Sequence, residues 1–146
     1  MIEIRRLRRL GDIPLHPTDA SAVGALQHTL STYWVNSRNR VWNIKAGSKF
    51  ADCDVETFFR FERLVGFMKG NTFVDGFQLS DIGIERLVSH PTIAQLFVER
   101  CPNITNRSVK LLAGNSWIRW LCLNCESVND EGMSCLREMN HLLRSV

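Results

Sequence analysis

Two short stretches in the C-terminal half of the chain follow the pattern of a half-buried strand. They lie at residues 96–98 and 121–123, and in both a leucine or valine occupies the first and third positions. Such alternation predicts β-strands that turn one set of side chains into a core. Apolar residues at helical spacing follow each stretch, at residues 108–112 and 132–136. The pattern therefore predicts strands and helices in alternation.

These two strand–helix blocks recur with a nearly constant period. Cys101 and Cys125 lie 24 residues apart, and so do Ile104 and Val128. A period of this size predicts a stacked solenoid rather than a compact enzyme core. A polar residue that can accept hydrogen bonds from free backbone N–H groups precedes three of the helical stretches. These predicted N-cap residues are Ser80, Thr105 and Asn129.

The blocks upstream do not align in one register. A strand is predicted to begin at Val41, and an offset of 23 residues places Ile44 opposite Phe67. Aligning the later blocks backwards by 25 residues instead places Phe73 opposite Val98. Both alignments hold only if the chain carries an insertion. We place it around residues 69–77, where two glycines allow a loop.

The spacing of leucine, cysteine and asparagine resembles a known family. The first block carries its apolar, cysteine and polar positions at Leu96, Val98, Cys101, Ile104, Thr105 and Asn106. This arrangement is similar to the cysteine-containing leucine-rich repeats of F-box substrate-recognition domains and of bacterial repeat proteins. The block from Leu121 is similar but one residue shorter before its cysteine. The resemblance covers residues 41–146, most strongly from residue 77 onward.

The resemblance implies the fold class and the domain organisation. It implies an α/β fold: a short right-handed leucine-rich-repeat solenoid of about four units at residues 41–146, with parallel strands on one side and helices on the other. Residues 1–40 are then an N-terminal arm and a capping helix. We expect Thr18 or Asp19 to be the N-cap of that helix, which would run to about Leu30 before a polar link. Residues 136–146 are the expected C-terminal cap.

Composition is that of an ordinary globular domain. The chain has 146 residues, of which 45% are apolar and 23% charged. Its net charge of +3 is too small to imply nucleic acid as a partner. Part of that charge is concentrated in a basic cluster near the N-terminus, at Arg5, Arg6, Arg8 and Arg9. Binding of nucleic acid or of an acidic membrane surface by this arm is the alternative function, although such runs are more often solvated termini.

Targeting signals are weak. No apolar run approaches the roughly 18 residues of a membrane-spanning helix, so we expect no transmembrane segment. The N-terminus lacks the apolar core of a secretory signal. The five cysteines are odd in number, which favours reduced thiols and a cytoplasmic location. The arginine-rich start leaves a mitochondrial location open.

Catalytic and metal-binding signatures are weak as well. The four histidines lie in no catalytic motif, so we expect no enzyme activity and no cofactor. Cys122 and Cys125 have the spacing of a zinc ligand pair. However, Cys125 occupies a repeat position and Cys122 is predicted to face away from the core, so we expect no metal. Asp54 is expected to cap the helix that contains Val55.

The best candidate for a binding surface is the outward side of the predicted strands. A protein partner is expected there, with the protein acting as an interaction module or an accessory subunit of open oligomeric state. The alternative is that these side chains are only solvated. Among the tryptophans, Trp42 is expected in the core, and Trp117 and Trp120 in the core or the cap; the alternative for these two is an exposed position, which would mark a binding surface. The predicted partner-binding residues are Asn43, Lys45, Phe97, Glu99, Arg100, Cys122 and Asn124.

Overall fold

A computed structural model describes residues 14–69 and 78–137, and the backbone of residues 143–144. Six strands form one sheet in chain order: β1 Leu30–Val35, β2 Val41–Ala46, β3 Gly66–Lys69, β4 Gln95–Glu99, β5 Trp120–Asn124 and β6 Leu143–Arg144. The helices are α1 Pro17–Ala25, a 3-10 helix at Asp52–Arg60, α2 Asp81–Val88, α3 Asn106–Ala113 and α4 Asp130–Ser134.

The sheet is parallel from β2 onward, and only β1 runs antiparallel to its neighbour. This confirms the predicted α/β class with parallel strands. Buried side chains of α2 and α3 join those of β3 and β4 in one core, so the helices cover one face of the sheet. The helix predicted around Val55 is confirmed, and Asp54 accepts a hydrogen bond from the backbone N–H of Ala51 at 2.8 Å.

The N-terminal segment differs from the prediction. Helix α1 ends at Ala25 rather than near Leu30, and Leu30 begins strand β1. Leu30, Tyr33 and Val35 are buried; burial alternates from Tyr33 to Val35 as in a strand, after an irregularity in the pairing between Leu30 and Thr32. The predicted polar link is a hairpin turn in which Asn36 Oδ1 accepts the N–H groups of residues 38 and 40. Strand β1 was missed because its apolar residues also fit a helical spacing.

The predicted cap residues of α1 were wrong. Residue His16 occupies the N-cap, and Pro17, which lacks a backbone N–H, begins the helix. Asp19 instead lies completely buried in the first turn. Its carboxylate accepts two hydrogen bonds from Arg40 at 3.1 Å and one from the backbone N–H of Val41 at 2.8 Å. This ion pair fastens α1 to the start of β2.

The register of the sheet resolves the ambiguous segment. Ile44 pairs with Phe67, as the offset of 23 residues predicts, and Phe67 pairs with Leu96 at an offset of 29. Lys69, not Phe73, lies opposite Val98, so the offset of 25 residues was wrong for the strand, although it holds for the helix starts at Ser80 and Thr105. The extra residues therefore fall between β3 and α2, in agreement with the predicted insertion. Residues 70–77 themselves lie outside the described residues.

The distance along the chain from a helix start to the next strand is nearly constant. Sixteen residues separate three of the N-caps from the central core residue of the following strand: Ala51 from Phe67, Ser80 from Leu96, and Thr105 from Leu121. In the last unit fifteen residues separate Asn129 from Arg144, which pairs with Leu121. Most of the variation in length therefore lies in the connections that lead from a strand to its helix.

Side chains at the helix starts link each helix to the next. Asp81 accepts hydrogen bonds from the backbone N–H and the hydroxyl of Thr105, at 2.9 and 2.6 Å. Asp52 receives the same pair of bonds from Ser80. Burial alone would raise the pKa of Asp81, but the hydrogen bonds lower it overall, which keeps the carboxylate ionised as an acceptor.

The third member of this series uses amides in place of a carboxylate. Asn106 accepts from the backbone N–H of Asn129 at 3.1 Å and donates to its side-chain oxygen at 2.8 Å. We call these contacts the cap ladder, formed by Asp52–Ser80, Asp81–Thr105 and Asn106–Asn129. The three predicted N-caps also accept hydrogen bonds from their own first turns, which confirms their role.

The cap ladder requires a small residue two positions after each helix start. A Cβ atom on Gly83 would collide with the carboxylate of Asp52, and one on Gly132 would collide with the amide of Asn106. Ser108 occupies the corresponding position of α3, where its hydroxyl donates to Asp81. A side chain is therefore accepted here only if it hydrogen-bonds to the acceptor that it approaches.

The two spaced cysteines occupy inward positions at the ends of their strands, as predicted. Cys101 and Cys125 are both buried. The Cys101 thiol donates to the carbonyl of Glu99 at 3.5 Å, and the Cys125 thiol to that of Val98 at 3.9 Å. These contacts are weak hydrogen bonds of the kind expected from thiols near backbone carbonyls that turn inward.

We expect Asp19→Ala to lower the free energy of unfolding by about 3 kcal/mol, because it leaves Arg40 without its buried partner. Urea denaturation followed by circular dichroism measures this change. Glu62→Ala is the matched control, since Glu62 contacts the same Arg40 at 3.5 Å but is largely exposed. The control is expected to cost no more than about 0.5 kcal/mol. Equal losses in the two variants would contradict a structural role for the buried pair.

We expect Gly83→Ala to destabilise the protein by about 2 kcal/mol, because the new methyl group displaces the Asp52 carboxylate from Ser80. Gly114→Ala is the matched control: its nearest heavy atom outside the adjacent residues would lie 3.7 Å from the new carbon. That variant is expected to be as stable as the wild type or slightly more so. Thermal unfolding of both variants compares them, and a neutral Gly83→Ala would argue against a tight ladder.

Candidate functional site

The face of the sheet opposite the helices carries the candidate site. Strand pairing places its outward residues in rows that cross the strands, and we call this surface the open sheet face. The first row is Trp34, Asn43, Gly66, Gln95 and Trp120; the second is Thr32, Lys45, Met68, Phe97 and Cys122; the third is Glu99 and Asn124.

Most of the predicted binding residues meet on this face. Lys45, Phe97 and Cys122 share the second row, and each is half-buried. Glu99 pairs with the exposed Asn124 in the third row. Arg100 follows immediately and is exposed, with a left-handed backbone (φ 55°) and an N–H that donates to the carbonyl of Asn124 at 2.7 Å.

Asn43 differs from the other predicted residues because it is almost completely buried. It occupies the first row, yet only 8% of its surface is exposed. Its side-chain amide lies over Gly66, where a Cβ atom would come within 2.8–3.0 Å of the amide atoms. Glycine is therefore required beside it. The Oδ1 atom of Asn43 is buried and has no hydrogen-bond donor in the described part of the chain.

Trp42 was wrongly predicted as a core residue. The core positions of β2 are Val41 and Ile44, three residues apart, and the half-buried Trp42 is not part of the core cluster. The spacing of three residues between these inward positions coincides with an irregularity in the pairing of β1 with β2. The indole Nε1–H of Trp42 is also buried, and no acceptor lies within reach among the described residues.

Trp117 and Trp120 were wrongly expected in the core or the cap. They are 62% and 42% exposed, because Ile118 and Leu121 take the inward positions around the start of β5. Trp120 lies in the first row next to Gln95, and its backbone also pairs with that of Leu143 in β6. An exposed tryptophan in a strand is unusual for a residue that buries so much apolar surface.

Several residues of the open sheet face were missed from the sequence. They are Trp34, Met68, Gln95 and Trp120. The sequence does contain a signal for them. Two apolar residues three positions apart lie before or at the start of β2, β3, β4 and β5, and the two residues between them face outward. These apolar pairs are Val41 and Ile44, Leu64 and Phe67, Ile93 and Leu96, and Ile118 and Leu121.

The charge on Glu99 affects the thiol at the centre of the face. Burial raises the pKa of Cys122, and the neighbouring Glu99 carboxylate raises it further. The thiol donates to Glu99 Oε1 at 3.7 Å. Cys125 lies on the core side of the sheet, and none of the five cysteines forms a disulfide. Among the described residues no three histidine, cysteine or acidic side chains are grouped to hold a metal.

The helix side of the protein carries a groove. It has a volume of about 400 Å³ and lies between the 3-10 helix and α2. Its carboxylates are already engaged, since Asp52 accepts a hydrogen bond from the Ser80 hydroxyl and Glu56 forms an ion pair with Arg86. Arg86 in turn lies over the ring of Phe59, 4.3 Å from its centroid. The groove is therefore held by internal contacts and offers little to a ligand.

The basic cluster at residues 5–9 lies outside the described residues. Within residues 14–69 and 78–137, no helix is both long enough and apolar enough to cross a membrane.

Comparisons with known proteins give no family assignment. No model of a known protein family matches the chain. A search of curated protein sequences also finds no significant match.

The environment of Cys122 predicts slow alkylation. At about pH 8 its raised pKa leaves little thiolate, so iodoacetamide should modify it more slowly than the exposed Cys53. Glu99→Gln removes the neighbouring charge and should accelerate the reaction of Cys122 about threefold. Peptide mass spectrometry over time measures both rates. If Glu99→Gln changed both cysteines equally, general opening of the fold would be the cause.

Proposed function

We propose that this protein is a non-catalytic module of leucine-rich-repeat type that binds a partner protein on its open sheet face. The distance of sixteen residues from helix start to next strand, repeated in three successive units, supports the repeat assignment. The cap ladder supports it too, because equivalent polar positions form equivalent contacts between successive helices. Each strand–helix unit then buries its apolar side against its neighbours.

The observation that carries the docking proposal is the aromatic and sulfur-containing surface on the face opposite the described helices. Trp120 is 42% exposed, and Phe97 and Met68 in the next row are half-buried. Tryptophan, methionine and other large apolar residues are enriched where proteins meet, because their burial supplies most of the binding energy. Polar groups border this apolar centre, with Lys45 on one side and Glu99 on the other.

The role that fits this surface is that of an adaptor or an accessory subunit in a larger assembly. The proposal places the protein in the cytoplasm, where its thiols, none of which forms a disulfide, would stay reduced. Docking of this kind depends mainly on apolar contact, so we expect it to weaken only modestly as salt increases. Binding of phosphate by the basic cluster would weaken steeply over the same range.

Photo-crosslinking from the two sides of the sheet tests the docking proposal. The photoreactive amino acid p-benzoylphenylalanine replaces Phe97 on the open sheet face in one variant and Lys110, exposed on α3, in the control. We expect the position-97 variant to crosslink one protein reproducibly in living cells, and the position-110 variant not to. Mass spectrometry identifies the product.

The same partner then serves for an affinity measurement. Trp120→Ala should weaken its binding at least about tenfold, since a central tryptophan often contributes this much. Its effect on stability should be small because the side chain is already partly exposed. Crosslinking only from position 110 would place the interface on the helices and overturn the proposal.

A further inference from the structure

The core of the protein is less completely covered at the end formed by β5 and α4. The fourth position after each N-cap holds an apolar residue: Val55, Ile84, Val109 and Met133. The first three are completely buried, whereas Met133 is 37% exposed. The residue directly before the N-cap shows the same difference, since it is completely buried in the earlier units but Val128 is only half-buried. The apolar side of the last unit is therefore only partly covered by the described chain.

The cap ladder ends at the same place. Each of its acceptors is the first residue after an N-cap and takes the backbone N–H of the next N-cap. Asp130 holds this position in α4, where it is exposed and its carboxylate receives no hydrogen bond in the described part of the chain. An acceptor and an uncovered apolar surface thus coincide. We call the surface formed by Val128, Asp130 and Met133 the open stack end.

The open stack end fits a helix rather than a strand. The strand position beside β5 is already occupied by β6, in which Leu143 pairs with Trp120 and Arg144 with Leu121. The described residues contain no helix that follows β6. In each earlier unit the following helix start donates to the acceptor and lies beside the apolar residues that are buried there. The molecule itself therefore shows three times what covers such an end.

We propose that the open stack end binds an α-helix of a partner protein, and that this helix begins with a serine or threonine N-cap. Such an N-cap offers the carboxylate of Asp130 a backbone N–H and a hydroxyl, the same two donors that Thr105 offers to Asp81. Apolar side chains of the bound helix would cover the rest of the open stack end. This surface belongs to the helix layer, so the inference goes beyond the docking proposed for the open sheet face and does not depend on it.

The internal units predict the sequence of the bound helix. In both α2 and α3 an apolar residue precedes the N-cap, and apolar residues follow it at the fourth and seventh positions. The third position is Gly83 or Ser108, because it approaches the acceptor of the preceding helix. The expected motif is therefore an apolar residue, Ser or Thr, two residues of any type, Gly or Ser, an apolar residue, two residues of any type and an apolar residue.

A second copy of this chain does not supply such a helix start. The N-cap residues of the described helices already donate their backbone N–H groups within the chain. They are His16, Ala51, Ser80, Thr105 and Asn129. A second copy could extend the cap ladder only by breaking one of these bonds, which costs about as much as the new bond gains. A different protein whose helix start is not yet engaged fits without that cost.

A selection for single helices tests the proposal. A phage library displays one helix of about fourteen residues, roughly four turns, on a fixed helical scaffold. The residue before the N-cap, the N-cap and the first two turns are random. Binders are selected on the full chain, with Met133→Arg in excess as competitor to remove binders of other surfaces. We expect the selected helices to carry Ser or Thr at the N-cap and apolar residues at the fourth and seventh positions.

Affinity measurements on the strongest binder then test the role of Asp130, which the selection leaves open. Asp130→Ala should weaken binding about tenfold, because the N-cap loses a charged acceptor. Replacing the N-cap of the binder by Ala should weaken binding to the wild type by about as much, and binding to Asp130→Ala much less. Glu131→Ala is the matched control, since Glu131 is an exposed acid in the same first turn, and it should bind like the wild type. Biolayer interferometry measures these affinities.

The variants should melt close to the wild type, because all three side chains are exposed. Equal losses in Asp130→Ala and Glu131→Ala would indicate general attraction to acidic residues and overturn the proposal. Selected helices without Ser or Thr at the N-cap, or no binder that depends on Met133, would overturn it as well. Analytical ultracentrifugation of the chain alone should show a monomer. A dimer that Asp130→Ala dissociates would identify a second copy as the occupant and contradict a separate partner.

Discussion

The arrangement of this molecule depends on hydrogen bonds between successive helix starts. Asp52, Asp81 and Asn106 each receive the backbone N–H of the next N-cap residue, so each helix is held at a fixed offset from its neighbour. The nearly constant distance to the following strand transmits that offset to the sheet. A polar contact on the helix side thus determines which side chains lie next to each other on the opposite face of the sheet.

The N-terminal hairpin gives this parallel arrangement a defined boundary. Strand β1 runs antiparallel and pairs irregularly with β2 at two points. Such irregular pairing makes a sheet edge a poor template for further strands. The buried Asp19–Arg40 pair fastens α1 across the same end and covers core residues that would otherwise meet water. The hairpin also brings Trp34 next to Asn43, so the boundary contributes to the candidate site as well as to stability.

The sequence predicted the parallel part well because its signals are local. The apolar periods, Ser80, Thr105 and Asn129 each define a strand or a helix start without reference to distant residues. It predicted β1 poorly, since Leu30 and Leu26 fit one helical face and only pairing with β2 makes Leu30 part of a strand. For the site, simple alternation located Phe97 and Cys122. It misplaced Trp42 and missed Trp120, because an inward step of three residues precedes the regular alternation. The burial of Asn43 follows from the bare backbone of Gly66 on the adjacent strand, a contact that no local pattern encodes.

The unequal lengths of the connections have a consequence for how such a chain can change. From the central core residue of a strand to the next N-cap the chain takes seven, thirteen, nine and eight residues, whereas the return takes sixteen residues in the first three units and fifteen in the last. Insertions or deletions in the connection from a strand to its helix alter only the edge beside the carboxyl ends of the strands. They leave the stacking of the strand–helix units undisturbed. An insertion or deletion in the connection from a helix to the next strand would shift that helix relative to the strand. New segments can therefore be accommodated at only one margin, beside the carboxyl ends of the strands, and this margin is where diversity between relatives would accumulate.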